Sequence, residues 1–273
     1  MKTSTIYLTT TLLLTSAALV SGNSANATNN GLQLRYHDPA SMLKLSVLQD
    51  INVGEHEHIA ERTFSLDLGL STEHEGVAIT INKAGGSYTA HGMKQRLPAK
   101  ELTGQLFKLP RVDGGRSLQQ PDADSGPVMG LGAMFEQGYS IGLALVDILP
   151  VLPEDSVTVG SSWTTQQTTQ SIEGWAWASG PISNLHTVTA IEQNNGHSIA
   201  SVTTTSSGQL GAVEGGRAYS GDGTLTRTSN WRFDASDGRL LSLSMEQETN
   251  GINTLPQGEV DVRQVTKIEL TTQ

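Results

Sequence analysis

The 273-residue chain contains no cysteine, only 5% aromatic residues, and 17 Lys and Arg against 27 Asp and Glu, a formal net charge of −10. Without cysteine there is no disulfide, no thiolate metal site, no cysteine nucleophile and no N-terminal cysteine to carry acyl chains. The negative balance argues against nucleic acid and anionic lipid surfaces as partners, because both would repel it. A phosphate-cradling glycine loop and the His-Glu-x-x-His zinc-protease spacing are also missing. The expectation is a non-enzymatic protein with no cofactor, held together by its own core.

The first 27 residues have the three-part layout of a secretory signal peptide. Lys2 supplies a positive charge, Ile6 to Val20 an apolar run diluted with Thr and Ser, and Ala25-Asn26-Ala27 a small-residue cleavage site. The run is shorter than the ~20 residues that span a bilayer, so cleavage near Ala27 is expected rather than a stable membrane anchor. Removing 27 residues leaves 246 and takes away one charge, Lys2, so the mature net charge is −11. The chain is therefore expected in the periplasm or secreted, as a single β-rich domain over 28–273.

What is present is alternation. Leu32, Leu34 and Tyr36, then Leu43, Leu45 and Val47, then Phe64, Leu66, Leu68 and Leu70, then Val77, Ile79 and Ile81 each alternate with polar neighbours. Period two means strands with one face buried and one wet. The last two runs read as a hairpin, and another strand is expected over Leu102 to Leu109. Later, Leu185 to Glu192 and His197 to Thr205 flank Asn194-Asn195-Gly196, a tight-turn signal. Thr224 to Phe233, Leu240 to Glu248 and Glu259 to Leu270 read as a three-stranded meander, with turns at 234–238 and at Asn250-Gly251. Gln264 interrupts the last alternation.

Between the β-rich parts, 31–109 and 157–271, lie a loop over 110–127 and an apolar stretch over 128–149. Val128, Leu131, Phe135, Tyr139, Gly142, Val146 and Leu149 advance by three or four residues, one face of an α-helix. Glu136, Ser140 and Asp147 form a narrow polar stripe, so the helix should be mostly buried. A transmembrane placement would put Glu136 and Asp147 in lipid at about 2.5–3.5 kcal/mol each. The two carboxylates stand ~16 Å apart along the helix, too far for a glycosidase pair. Pro150 and Pro153 end the helix, and extended chain resumes at Val157. The fold class expected is mainly β: a strongly curved, half-barrel-like antiparallel sheet with one central buried helix.

Leu152-Pro153-Glu154-Asp155-Ser156-Val157-Thr158-Val159-Gly160-Ser161-Ser162-Trp163 resembles the Leu-Pro, short spacer, Val-x-Val-Gly-x-x-Trp signature of a family of exported bacterial domains. The likeness extends over Leu32 to Leu270 in order of elements. It includes Thr103-Gly104 before the helix and the Trp231 to Leu240 strand-turn-strand. In layout the family is similar to lipoprotein carriers of the Lol type, where a half-open β-barrel cradles acyl chains beneath helices. The resemblance implies an apolar, lipid-like ligand and transfers no catalytic residue to this chain.

Two sets of candidate site residues follow. Phe135, Tyr139, Trp163, Trp175 and Trp177 could line a groove for such a ligand, since indole offers a broad apolar face and one polar handle; core packing is the competing fate. His56 and His58, two apart on a strand, project from one face and could share a zinc or copper ion with His74 from the next hairpin. Glu55, Glu57, Glu73 and Glu75 around them read equally as charges that protect a sheet edge. The expected partners are thus an apolar small molecule or an envelope protein. A metal-binding protein and an envelope interaction or adhesion module are the alternatives.

Overall fold

The computed structural model describes residues 31–37, 41–54, 57–73, 76–90, 92–96, 99–118, 149–168, 177–178, 181–212, 223–255 and 258–273. Residues 31–273 belong to one compact unit. Its strands are β1 (Ser41–Val53), β2 (Glu57–Glu73), β3 (Gly76–Ala90), β4 (Met93–Arg96), β5 (Leu106–Val112) and β6 (Ser117–Leu118). They continue with β7 (Ser162–Thr168), β8 (Trp177–Ala178), β9 (Pro181–Asn194), β10 (His197–Ala212), β11 (Gly223–Asp234), β12 (Arg239–Leu255) and β13 (Gly258–Thr272).

Eleven strands form one antiparallel path, β6-β5-β3-β2-β1-β13-β12-β11-β10-β9-β7, with β4 beside β3 and β8 beside β10. The sheet is open, with β6 and β7 at its two ends. The chain starts in the middle of the sheet at β1, walks outward through β2, β3 and β5, and enters the other end at β7. It then returns to the middle, where β13 pairs with β1 from Val53↔Val262 to Leu43↔Thr272. Two long antiparallel meanders are thereby joined along one seam.

One face of this sheet is apolar. Leu43 and Leu45 of β1, Leu66 and Leu68 of β2, Ile79 and Ile81 of β3, Trp231 and Phe233 of β11, and Leu243, Ile268 and Leu270 of β12 and β13 share a single buried cluster. The expected hairpin β2–β3, the meander β11–β12–β13 and the 194–196 turn are all present. Asn195 and Gly196 both take positive φ, 49° and 86°, the backbone that a two-residue hairpin needs.

Several expectations are corrected. Leu32, Leu34 and Tyr36 alternate but are not a sheet strand; among the described residues the ladder contact there is the bridge Leu32↔Val157. The segment instead crosses the apolar face, with Leu34 and Tyr36 buried in the cluster. Leu102 ends a four-residue helical turn, α1 (Ala99–Leu102), rather than starting a strand. Asn250-Gly251 is not a turn: β12 runs through it to Leu255, because Gly251 pairs with Gly223 on one side and Val262 on the other. Of the expected helix, residues 128–148 lie outside the described residues, and Leu149 sits in a bend before Pro150. Among the described residues the helical structure is limited to α1 and a single turn at Asp113–Gly115.

The Leu152–Trp163 motif has a structural account. Leu152 is fully buried; its N–H donates to Arg116 O at 2.8 Å and its carbonyl accepts from Arg116 Nε at 3.2 Å. Arg35 donates to Pro153 O and Glu154 O, both at 2.7 Å, and Tyr36 Oη to Pro150 O at 2.9 Å. Leu32 and Val157 exchange two backbone bonds of 2.8 Å. Gly160 turns at φ 88° and donates to Val188 O at 2.9 Å, and Trp163 Nε1 donates to Val151 O at 3.0 Å. Two irregular segments lying on an apolar face would leave backbone groups unsatisfied, and this motif supplies their partners.

Candidate functional site

The apolar face is not uniform. Along β11, Gly223, Leu225, Arg227, Ser229, Trp231 and Phe233 are all buried while the residues between them, up to Arg232, are exposed. Arg227 and Ser229 are thus in phase with the core, not with the wet face. The same holds for Asn184 and His186 of β9, Thr204 and Ser206 of β10, Gln247 and Thr249 of β12, and Gln264 and Thr266 of β13, each at most 6% exposed.

Strand register aligns these residues. One row across the sheet is apolar: Val188, Val202, Trp231, Leu243, Leu270, Leu45. The next is mixed, with Trp163, His186, Thr204 and Ser229 leading into Met245 and Ile268. The third is wholly polar: Thr165, Asn184, Ser206, Arg227, Gln247, Thr266. Its register continues to Gln49, Arg62 and Tyr88. A polar belt therefore crosses the core face beside the apolar wall.

Where wall and belt meet, a hydrogen-bonded aromatic group organises the face. Trp163 stacks on His186 with ring centroids 4.8 Å apart, and Trp231 meets Trp163 edge-on at 6.1 Å. Trp231 Nε1 donates to Thr204 Oγ1 at 2.9 Å. The His186 ring is bonded at both nitrogens, Nδ1 to Thr204 Oγ1 at 2.8 Å and Nε2 to Thr165 Oγ1 at 2.9 Å. Asn184 Nδ2 donates to Thr165 Oγ1 at 3.2 Å. Deeper in the belt, Arg227 Nε and Nη2 both donate to Gln247 Oε1, at 3.0 and 2.7 Å. Ser206 Oγ and Thr249 Oγ1 are buried and have no hydrogen-bond partner among the described residues.

Burial lowers the His186 pKa to about 4, so the folded protein holds it neutral while the unfolded chain takes up a proton below about pH 6.5. Unfolding thus gains protons in that interval, and stability falls as pH drops from 6.5 towards 4. The loss should reach roughly 3 kcal/mol. Urea midpoints at pH 7.5 and 4.5 should differ accordingly, and His186→Gln should flatten that difference. Glu248 acts in a lower window: hydrogen bonds from Arg263 and Asn250 hold it at about 2, so its contribution is lost only below about pH 4.5.

Of the residues singled out from sequence, Trp163 alone among the ligand-groove candidates has a described side chain, half-buried and stacked as above. Phe135, Tyr139 and Trp175 lie outside the described residues, and Trp177 is placed only as backbone in β8, paired with Ala212. His56 and His74 lie outside them too. Position 58 pairs with Asn52 at the start of β2, and Glu73 ends that 17-residue strand. The two ends of β2 thus stand about 50 Å apart along an extended strand. Gly138-Tyr139-Ser140-Ile141-Gly142 has the Gly-x-Ser-x-Gly spacing of a hydrolase elbow; it too falls outside the described residues, and the helical periodicity there predicts continuous helix rather than a strand-to-helix turn.

A different His and carboxylate group does come together. His197 Nδ1 lies 2.8 Å from Asp234 Oδ2 and 3.7 Å from Asp237 Oδ1, and the three ligand atoms fall within 4.8 Å of one another. Asp234 Oδ1 accepts the N–H groups of Ser236 and Asp237, and Asp237 pairs with Arg239 at 3.0 Å. The arrangement braces the β11–β12 turn.

An open antiparallel sheet with an apolar wall and a polar belt on one face is the class the geometry defines. No family model and no curated protein matches this chain.

Proposed function

We propose that the chain is a non-enzymatic extracytoplasmic binding protein that holds an apolar, lipid-like ligand against the core face of its sheet. In this reading the sheet is curved into a half-barrel, and the 128–149 helix predicted from the sequence lies over the same face. The observation that carries it is the grading of that face, from a wall of Val, Leu and Trp into a belt of in-phase polar side chains. A face built only for packing would gain nothing from Ser206, Arg227, Gln247 and Thr249 in core register, since buried polar groups cost free energy unless fully bonded. Such a graded lining suits a ligand pocket, mostly apolar with a few placed polar groups. The likeness to Lol-type carriers supports the same reading as fold-level analogy, and cleavage of a signal peptide near Ala27, as the first 27 residues suggest, would put the protein in the periplasm or outside the cell. His186 is occupied at both nitrogens, which fits a positioning role better than proton transfer.

Native mass spectrometry and organic extraction of the protein purified from its own host should recover an apolar small molecule in stoichiometric amount. Protein that remains ligand-free in that preparation, and that takes up no hydrophobic probe, would sink the reading.

A further inference from the structure

Where β10 begins and β11 ends, three side chains of metal-binding type converge away from the wall and the belt. His197 opens β10, Asp234 closes β11, and Asp237 stands in the turn to β12. His197 Nδ1 is 2.8 Å from Asp234 Oδ2 and 3.7 Å from Asp237 Oδ1, and one donor atom from each residue falls within 4.8 Å of the others. Donors bound to one zinc ion at about 2.0–2.2 Å stand ~3–3.5 Å apart at tetrahedral or octahedral angles. A cation therefore fits among these three atoms with side-chain shifts of about 1 Å or less.

The second oxygen of each carboxylate is held elsewhere. Asp234 Oδ1 accepts the N–H groups of Ser236 and Asp237 at 2.9 and 3.3 Å, and Asp237 Oδ2 pairs with Arg239 Nη2 at 3.0 Å. Each carboxylate is thus oriented through one oxygen and turns the other towards His197, as outer partners orient metal ligands. The turn is itself pinned, with the Ala235 N–H on Ser198 O at 2.8 Å and the Ser198 N–H on Ser236 Oγ at 3.0 Å. Asp234 is buried, while His197 and Asp237 both reach solvent, which leaves a cation a way in.

Hydrogen bonding explains the His197–Asp234 pair, because Nδ1–H is one donor and needs one acceptor. It does not explain a second carboxylate directed at the same nitrogen beyond hydrogen-bond reach. The two carboxylates also outnumber the single guanidinium of Arg239, so this corner attracts positive charge.

We propose that His197, Asp234 and Asp237 hold one divalent transition-metal cation of the zinc type, which staples the start of β10 to the β11–β12 turn. One imidazole nitrogen with two carboxylates suits zinc, whereas calcium and magnesium favour all-oxygen sets. The cation takes the place of the Nδ1 proton, which passes to solvent, and water completes the coordination. In a chain without cysteine, and hence without disulfides, such a staple ties separate segments by a means other than the core. The assignment is independent of the apolar-ligand reading.

The test uses the full chain, carrying no histidine tag, and zinc chloride alone as the probe. Equilibrium dialysis of the parent should find one zinc that excess magnesium does not displace, and zinc should raise the thermal unfolding midpoint by several degrees, since it binds only the folded site. His197→Asn puts an amide nitrogen near the place of Nδ1, so it keeps a donor for Asp234 and should leave the zinc-free midpoint close to that of the parent. Both His197→Asn and Asp237→Asn should bind this zinc at least roughly tenfold more weakly, the smallest loss seen when even an outer partner of a metal site is removed, and should lose the zinc-dependent rise in midpoint. Parent protein that takes up no zinc, or zinc that magnesium displaces, overturns the proposal. So does zinc that stays in both variants and leaves only when His56 and His58 are changed to Asn.

Discussion

Trp231→Ala is expected to destabilise the protein by about 3–5 kcal/mol, the range for deleting a large buried aromatic side chain. Trp231 is only 2% exposed and belongs to two structures at once. Its ring packs in the apolar row between Val202 and Leu243 and edge-on to Trp163 and His186. Its Nε1–H satisfies Thr204. Truncation therefore leaves a cavity and also takes a donor from the network that positions His186. Trp231→Phe keeps most of the volume and loses mainly the hydrogen bond, for about 1 kcal/mol plus a smaller packing term. Urea midpoints of the two variants separate the contributions; near-equal losses would mean that the ring volume matters little and that the wall–belt junction is not the packed centre described here.

Gly238→Ala is the second large effect, at about 3 kcal/mol or more, because strain and collision add. Gly238 closes the β11–β12 turn at φ 65°, which costs a residue with a Cβ about 1–2 kcal/mol. The added Cβ would also run into the backbone N of His37 and lie 2.6 Å from Arg35 O. Backbone cannot rotate away as a side chain can. Relief requires shifting the 35–37 segment, which carries the Arg35 bonds to Pro153 and Glu154 and the Tyr36 bond to Pro150. Gly196→Ala is the control: it has a similar φ, 86°, and open space around it, so only the conformational cost should appear. Equal losses at the two positions would show that the 31–37 segment does not press on the turn.

The second prediction depends on a segment that sequence reading treats differently from the structure. The alternation of Leu32, Leu34 and Tyr36 is the same signal that correctly marks β1, β2 and β3, yet this stretch lies across the sheet instead of in it. Alternation reports only that one side of an extended chain is buried; it does not say whether the backbone bonds to a neighbouring strand or to scattered carbonyls. In the same way, Asn250-Gly251 carries a turn signature, but the pairing of β12 with β11 and β13 on both sides outweighs a local preference worth far less than those ladder bonds.

The belt was legible in part. Gln264 stands out in the sequence as a break in alternation, and structure shows it buried at 2% in core phase. Arg227, Gln247 and Ser206 carry the same mark, a polar residue at a position where the period demands an apolar one. What no single strand reveals is that Ser206, Arg227 and Gln247 fall at the same level as Thr165, Asn184 and Thr266, across six strands, with Gln264 one row beyond.

By itself the sequence determined the β class, the C-terminal meander and the 194–196 turn, because strand periodicity and turn chemistry act over a few residues. It also determined what the protein has no means to do with cysteine, since that needs only composition. Tertiary structure decided the strand order, with β1 and β13 meeting at the centre, and hence the alignment of in-phase polar residues into one belt. It also decided the role of the Leu152–Trp163 motif as the partner of stray backbone groups. Those outcomes depend on register between strands far apart in the chain, and register is set by the sum of many cross-strand contacts that no local stretch contains.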